Sequence, residues 1–178
     1  MELIKTPLNG VHLIKNRPFS DHRGDFRKLL HVPTFKDMGL ETKFKEAVYS
    51  TSTRNVVRGM HFQIPPADHV KLVWVSFGVI LDVALCVDRK SEDFGRYCSQ
   101  KLNHSDGISM YIGKGYAHGF RVISDVAVVN YMTTTVHAPK KDMAVRWNSF
   151  GMSWRVANPI LSTKDQNAMT LEEWRDMK

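Results

Sequence analysis

Residues 58–75 read RGMHFQIPPADHVKLVWV. Two apolar, strand-like runs flank a Pro-Pro corner, and a histidine (His61) and a lysine (Lys71) are set into them. Proline pairs of this kind mark turns, and β-branched and aromatic residues on either side favour strands. A lysine inside a β-rich core is costly unless it meets an anion or changes its pKa. His61 and Lys71 therefore either face solvent or line a cavity with polar contents.

Working outward, short runs rich in Val, Ile, Phe and Tyr recur between turn signals along the whole chain. The strands expected are Gly10–Lys15, Phe26–Leu30, Phe44–Thr51, Val56–Gln63, Lys71–Ser76 and Val79–Val87. Further on come Tyr97–Leu102, Ile108–Ile112, Ala117–Val122, Ala127–Thr133 and Met143–Arg146. Phe77-Gly78 and Gly113-Lys114-Gly115 read as turns. Two short helices are expected: Thr34–Met38, stopped by Gly39, and Thr170–Met177, opened by Thr170 and Glu173 at capping-box spacing. No longer helical period is visible, which argues against a parallel α/β fold. Many short antiparallel strands in 178 residues predict one all-β domain over 1–178, a double-sheet jelly roll of the cupin type. Such a barrel can hold a ligand in its mouth, so inward polar residues acquire a purpose.

The net charge of +7 raises the question of nucleic acid. The basic residues are scattered singly, with no basic helix and no stacking platform, so no nucleic-acid partner is expected. No stretch reaches the roughly 18 apolar residues of a membrane helix, so no membrane partner is expected. MELIKTPLNGVHLIKN carries no apolar run of signal-peptide length, and Cys86 and Cys98 make no disulfide framework. The expectation is a reduced, cytoplasmic protein.

Of the eight histidines, His12, His22, His31, His69 and His104 lie beside loops or charges and are expected in solvent. His61 and His118 sit in strands beside apolar residues, as do Lys71 and Tyr131. A metal is not expected: the residue two after His61 is Gln63, and no acid follows before Asp68. Proton chemistry fits better. A histidine can act as base, a tyrosine can return a proton from the opposite side, and a lysine can hold a developing enolate. Asp165, in LSTKDQ, could orient the histidine.

Eight segments in order carry a family pattern: DHRGDF (21–26), VVRGMHFQIPP (56–66), KLVWVSFGVILDVAL (71–85), SEDFG (91–95), YIGKGYAHGF (111–120), VNYMTTT (129–135), RWNS (146–149) and NPILSTKD (158–165). The chain resembles the dTDP-4-dehydrorhamnose 3,5-epimerase family over about Gly10–Asp165. The resemblance implies a cytoplasmic jelly-roll homodimer without metal or organic cofactor. It implies an isomerase acting on a nucleoside-diphosphate 4-keto-6-deoxy sugar, of the kind used for lipopolysaccharide O-antigens, capsules or natural products. By position it makes His61 the base, Asp165 its partner, Tyr131 the acid and Lys71 the enolate stabiliser. His118 would line the sugar pocket, and Arg23 and Arg58 would grip the diphosphate.

Departures from the family pattern point to a narrower specificity. Val136 and His137 stand where two-carbon epimerases usually have aromatics, and Cys86 replaces the second acid of a D-V-x-V-D run. These changes leave open inversion at one carbon. Lys28, two residues after Phe26, is a donor where an acid commonly accepts from thymine, and Glu46 stands where Gln is frequent. Both suit cytosine, so a CDP-linked 4-keto-(di)deoxy sugar of ascarylose-type biosynthesis is the alternative substrate. A related ketoisomerase would lack the RGxHFQ…KLV arrangement. A non-catalytic sugar-nucleotide binder would not need His61, Tyr131, Lys71 and Asp165 together.

Overall fold

The computed structural model describes residues 1–177. In chain order the strands are β1 (Glu2–Lys5), β2 (Val11–Lys15), β3 (Phe19–Asp21), β4 (Gly24–Phe26), β5 (Glu46–Thr53), β6 (Val57–Gln63), β7 (Lys71–Phe77), β8 (Val79–Cys86), β9 (Tyr97–Asn103), β10 (Ile108–Ile112), β11 (Tyr116–Val122), β12 (Val126–Thr133) and β13 (Asp142–Ala144). The helices are α1 (Val32–Asp37), α2 (Thr163–Gln166) and α3 (Leu171–Asp176). A six-stranded sheet, β1-β2-β10-β7-β12-β5, faces a five-stranded sheet, β13-β6-β11-β8-β9, and β3-β4 forms a separate hairpin. The all-β jelly roll expected from the strand pattern is the fold observed.

The two sheets close over a shared core. Val73, Val75 and Val129 from one sheet meet Ile80, Ala84, Phe120 and Val122 from the other. Phe35 of α1 covers the outer face of the six-stranded sheet, packing with Ile14, Leu72 and Tyr111. β7 is therefore covered on both sides, which explains why KLVWV reads as a continuous apolar run and not an alternating one. On the opposite flank Trp174 of α3 meets Phe62 edge-on at 5.0 Å between ring centroids. That helix has the capping box expected at Thr170 and Glu173.

Three local expectations need correction. Phe26–Leu30 is not a strand: the chain pairs only over Gly24–Phe26 and then leaves the ladder. There the Arg27 guanidinium turns to donate to the His104 and Ser105 carbonyls at 2.9 and 2.8 Å. Helix α1 begins at Val32, not Thr34, because Pro33 tolerates the first turn, where no N–H donor is needed. Helix α2, four residues long, is too short to give a sequence period, yet Ser162 caps it.

Candidate active site

One irregularity in β6 sets up the site. Opposite β11, the register pairs His118 with His61 and Phe120 with Arg58, so Gly59 and Met60 together oppose the single residue Gly119. This is a β-bulge, which re-aims the side chains that follow it. Without it, Arg58 and His61, three apart, would point to opposite faces; with it, both line the same cavity. Met60 faces the other way and is fully buried. Gly59 holds φ +123°, and a Cβ there would lie 2.5 Å from the Gly119 Cα. The dipeptide Arg58-Gly59 is thus a requirement of the site, although nothing in the sequence pattern announced a bulge.

His61 Nε2 lies 2.5 Å from Asp165 Oδ1. The carboxylate accepts, so the proton sits on Nε2 and the Nδ1 lone pair is free. Burial alone would raise the Asp165 carboxyl, but the His61 contact, the Ser162 hydroxyl and the Gly59 N–H together hold it below its usual range. On the neighbouring strand a second pair repeats the motif: His118 Nε2 lies 2.7 Å from Asp82 Oδ1. Asp82 is two residues from Ala84, the register partner of His118, so it is the diagonal neighbour on the same face. The His61 side chain is 33% exposed, whereas those of His118 and Asp82 are 6% and 0% exposed.

The opposite wall comes from the six-stranded sheet. Tyr131 and Thr133 of β12 face inward, and Thr133 is in register with Lys71 of β7. Lys71 Nζ donates across the barrel to the His61 carbonyl at 3.2 Å. Burial lowers the Lys71 pKa to about 8, against the pull of Asp142 and Asp82. Burial pushes the Tyr131 hydroxyl up, partly opposed by the Arg58 charge, so it keeps its proton at neutral pH. The cavity between these walls measures about 380 Å³, within the range of small-molecule sites.

Of the residues singled out in the sequence, His61, Lys71, Tyr131, Arg58, Glu46, His118 and His137 border this cavity. Asp165 lies behind His61, buried at 2% exposure. Glu46 accepts the His137 backbone N–H at 2.7 Å. Arg23 and Phe26 belong to the β3-β4 hairpin, away from the cavity, where Arg23 pairs with Asp21. Lys28 borders a different surface recess with Arg17 and His31. Cys86 is buried and does not border the cavity.

Several cavity residues escaped the sequence reading. His69 is not solvated as expected: it lines the cavity against Gln63 and Thr135, and burial, with the Lys71 charge adding, lowers its pKa to about 4. Asp142 and Lys164 also border the cavity. The signals were weak, since Lys164 is simply the neighbour of Asp165 and Asp142 sits in an ordinary charge run. Among the described residues, no group of three or more His, Cys, Asp or Glu side chains is placed to hold a metal ion. Nor is any described helix long and apolar enough to cross a membrane.

Residues 5–173 match the model of the dTDP-4-dehydrorhamnose 3,5-epimerase family. The chain belongs to that family. It is 34% identical over 177 residues to the Escherichia coli dTDP-4-dehydrorhamnose 3,5-epimerase, covering 97% of this chain and 96% of that one. It is also 31% identical to a dTDP-4-dehydrorhamnose 3-epimerase of Streptomyces niveus, over 99% of this chain and 86% of that one. Among solved structures, the 3,5-epimerase of Elizabethkingia anophelis superimposes with a TM-score of 0.92 at 32% identity, covering 97% of each chain. A 4-keto-6-deoxy sugar epimerase from the novobiocin cluster of Streptomyces spheroides gives 0.94 at 30% identity, over 99% and 90%. Membership of this epimerase family makes the protein an isomerase.

Proposed function

We propose that this family member epimerises a dTDP-linked 4-keto-6-deoxy sugar without a metal or organic cofactor. The carrying observation is that His61 and Tyr131 stand on opposite sheets of one cavity, with buried Lys71 beside them. A ketone at C4 acidifies the hydrogens on C3 and C5. His61 Nδ1 takes one of them, and Asp165 stabilises the imidazolium that forms. The electron pair moves into the C4 carbonyl, and the ammonium of the buried Lys71 stabilises the enolate oxygen. Tyr131 then returns a proton from the opposite face, which inverts the carbon. Arg58 is the cation available at the cavity for the diphosphate, and its Nε is steadied by Ser52 at 3.0 Å.

The thymidine nucleotide is proposed over cytidine because the family match and the curated relatives support a dTDP sugar. The protein is proposed to work as a single-domain homodimer in the cytoplasm. Supporting the dimer, Arg23 and Phe26 lie outside the cavity of their own chain, and Phe19 and Phe26 expose 68% and 62% of their surface on that hairpin. A second copy could bring such a hairpin to the nucleotide. A binder without activity would need no base and acid on opposite walls.

The test is incubation of the protein with dTDP-4-keto-6-deoxyglucose in D2O, followed by NMR. Deuterium at C3, C5 or both is the expected outcome, and the labelled position identifies the carbon inverted. No label at either carbon, with binding intact, would overturn the epimerase reading.

A further inference from the structure

Asp165 rides on a helix of only four residues. So short a helix has little stability of its own, and contacts with the barrel must set its position. Ser162 fixes Asp165 within its own turn: the Asp165 N–H donates to Ser162 Oγ at 3.1 Å, and the hydroxyl donates to Oδ2 at 2.9 Å. These bonds do not tie the helix to the strands. The ties on either side are the backbone bridges Val56 to Ile160 and Val145 to Met169 and the Arg146 Nε donation to the Ala168 carbonyl, while the Gly59 N–H of β6 reaches the Asp165 carboxylate itself.

At the helix itself two neighbouring side chains reach two neighbouring strands. Asp165 meets His61 on β6, and Lys164 Nζ meets Asp142 Oδ2 at 2.5 Å on β13. β13 pairs directly with β6, with Ala144 opposite His61 and Asp142 opposite Gln63. The same Asp142 oxygen lies 3.3 Å from His137 Nε2. Asp142, Lys164 and His137 all border the cavity, so this cluster stands at the site and not on a remote surface.

We propose that the Lys164–Asp142 pair, with His137 as its third member, is a positioning clamp. It seats α2 on the barrel and thereby holds Asp165, and through it the His61 ring, in line for proton transfer. The inference rests on the epimerase reading for its kinetic test. Lys164 and Asp142 have 47% and 22% of their side-chain surface exposed, and an ion pair as open as this adds little to global stability. Its loss should therefore appear in turnover and not in melting. A small displacement of a catalytic group is enough to cost a large factor in rate.

The experiment compares wild type with Lys164→Met, Lys164→Arg and the charge-exchanged double variant Asp142→Lys with Lys164→Asp. Lys164→Met is expected to lower kcat by roughly 10- to 100-fold, with KM and Tm near wild type. Lys164→Arg and the double variant should regain most of the lost kcat. In parallel, the proton shared by His61 and Asp165 should give a strongly deshielded 1H NMR line that is lost or broadened in Lys164→Met. Wild-type kcat in Lys164→Met, a loss confined to KM, or a large fall in Tm would each overturn the clamp. If wild type shows no turnover, the functional reading fails instead, and the NMR line alone decides the clamp: its persistence in Lys164→Met overturns it.

Discussion

Two histidine–carboxylate pairs stand side by side in this barrel, and they differ in how far each opens to the cavity. His61 and His118 are register partners on adjacent strands, and each ring sits within 2.7 Å of a carboxylate oxygen. The His118 pair is built inside one sheet, from β11 and β8, and is nearly sealed. The His61 pair joins a strand to a distant capped turn and leaves a third of the ring open. Equal hydrogen bonding does not make equal chemistry. The sealed pair offers almost no surface to a bound molecule, whereas the open pair is the one to which the proposed mechanism gives the proton transfer.

The sharpest way to break this comparison is to remove each ring in turn. His61→Ala should keep the fold and lose on the order of 10³-fold in solvent-deuterium exchange, the scale of a general base. Equal losses for His118→Ala would erase the distinction. Lys71→Met comes next, with kcat lower by about 10²-fold, as for a lost oxyanion donor. It should also make the protein more stable at pH 7, by about 1–3 kcal/mol in urea unfolding, because a buried charge is replaced by an apolar chain.

The pH dependence of Lys71 follows from its depressed pKa. The folded value is about 8, below the usual 10.5, so between these values the unfolded chain binds more protons than the folded one. The stability cost of burying the charge is thus fully present below pH 8 and disappears as pH rises towards 10.5. In the proposed mechanism catalysis runs the other way, since the ammonium is the form that stabilises an enolate: kcat should fall as pH rises through about 8. A kcat that stays flat there would remove Lys71 from its role.

His118→Ala should show the reverse balance to His61→Ala. It leaves Asp82 buried without its partner, and the expected loss is about 3–5 kcal/mol of stability with a smaller effect on turnover. The smallest effect is assigned to Lys28→Glu. A carboxylate can accept from thymine N3–H where lysine cannot, so preference for dTDP over CDP sugars should rise by about fivefold, one hydrogen bond's worth. Unchanged preference would discard any part for Lys28 in reading the base.

The fold was largely legible because β-strand periodicity and turn residues are local signals. Lys71–Ser76 and Val79–Val87 were placed within a residue or two, joined at Gly78, whose φ of +83° suits a glycine. The site was legible only in part, because its parts are joined through space. His61 and Asp165 are 104 residues apart, so side-chain chemistry could only suggest the pair and the family pattern was needed to assign it. The β6 bulge depends on the close approach of Gly59 to Gly119, which no spacing rule encodes. His69 looked like a loop histidine because the residues it meets include Thr135, 66 positions away, a non-local contact. Helix α2 escaped because four residues cannot express a period of 3.6.

The central claim is that two groups on opposite walls act on one carbon, His61 as base and Tyr131 as acid. Tyr131→Phe tests it most directly, with dTDP-4-keto-6-deoxyglucose in D2O and separate NMR readings of deuterium uptake and stereochemistry. The variant is expected still to exchange hydrogen, because His61 can remove and return it on one face, but no longer to invert the carbon. Inversion at the wild-type rate would contradict the account.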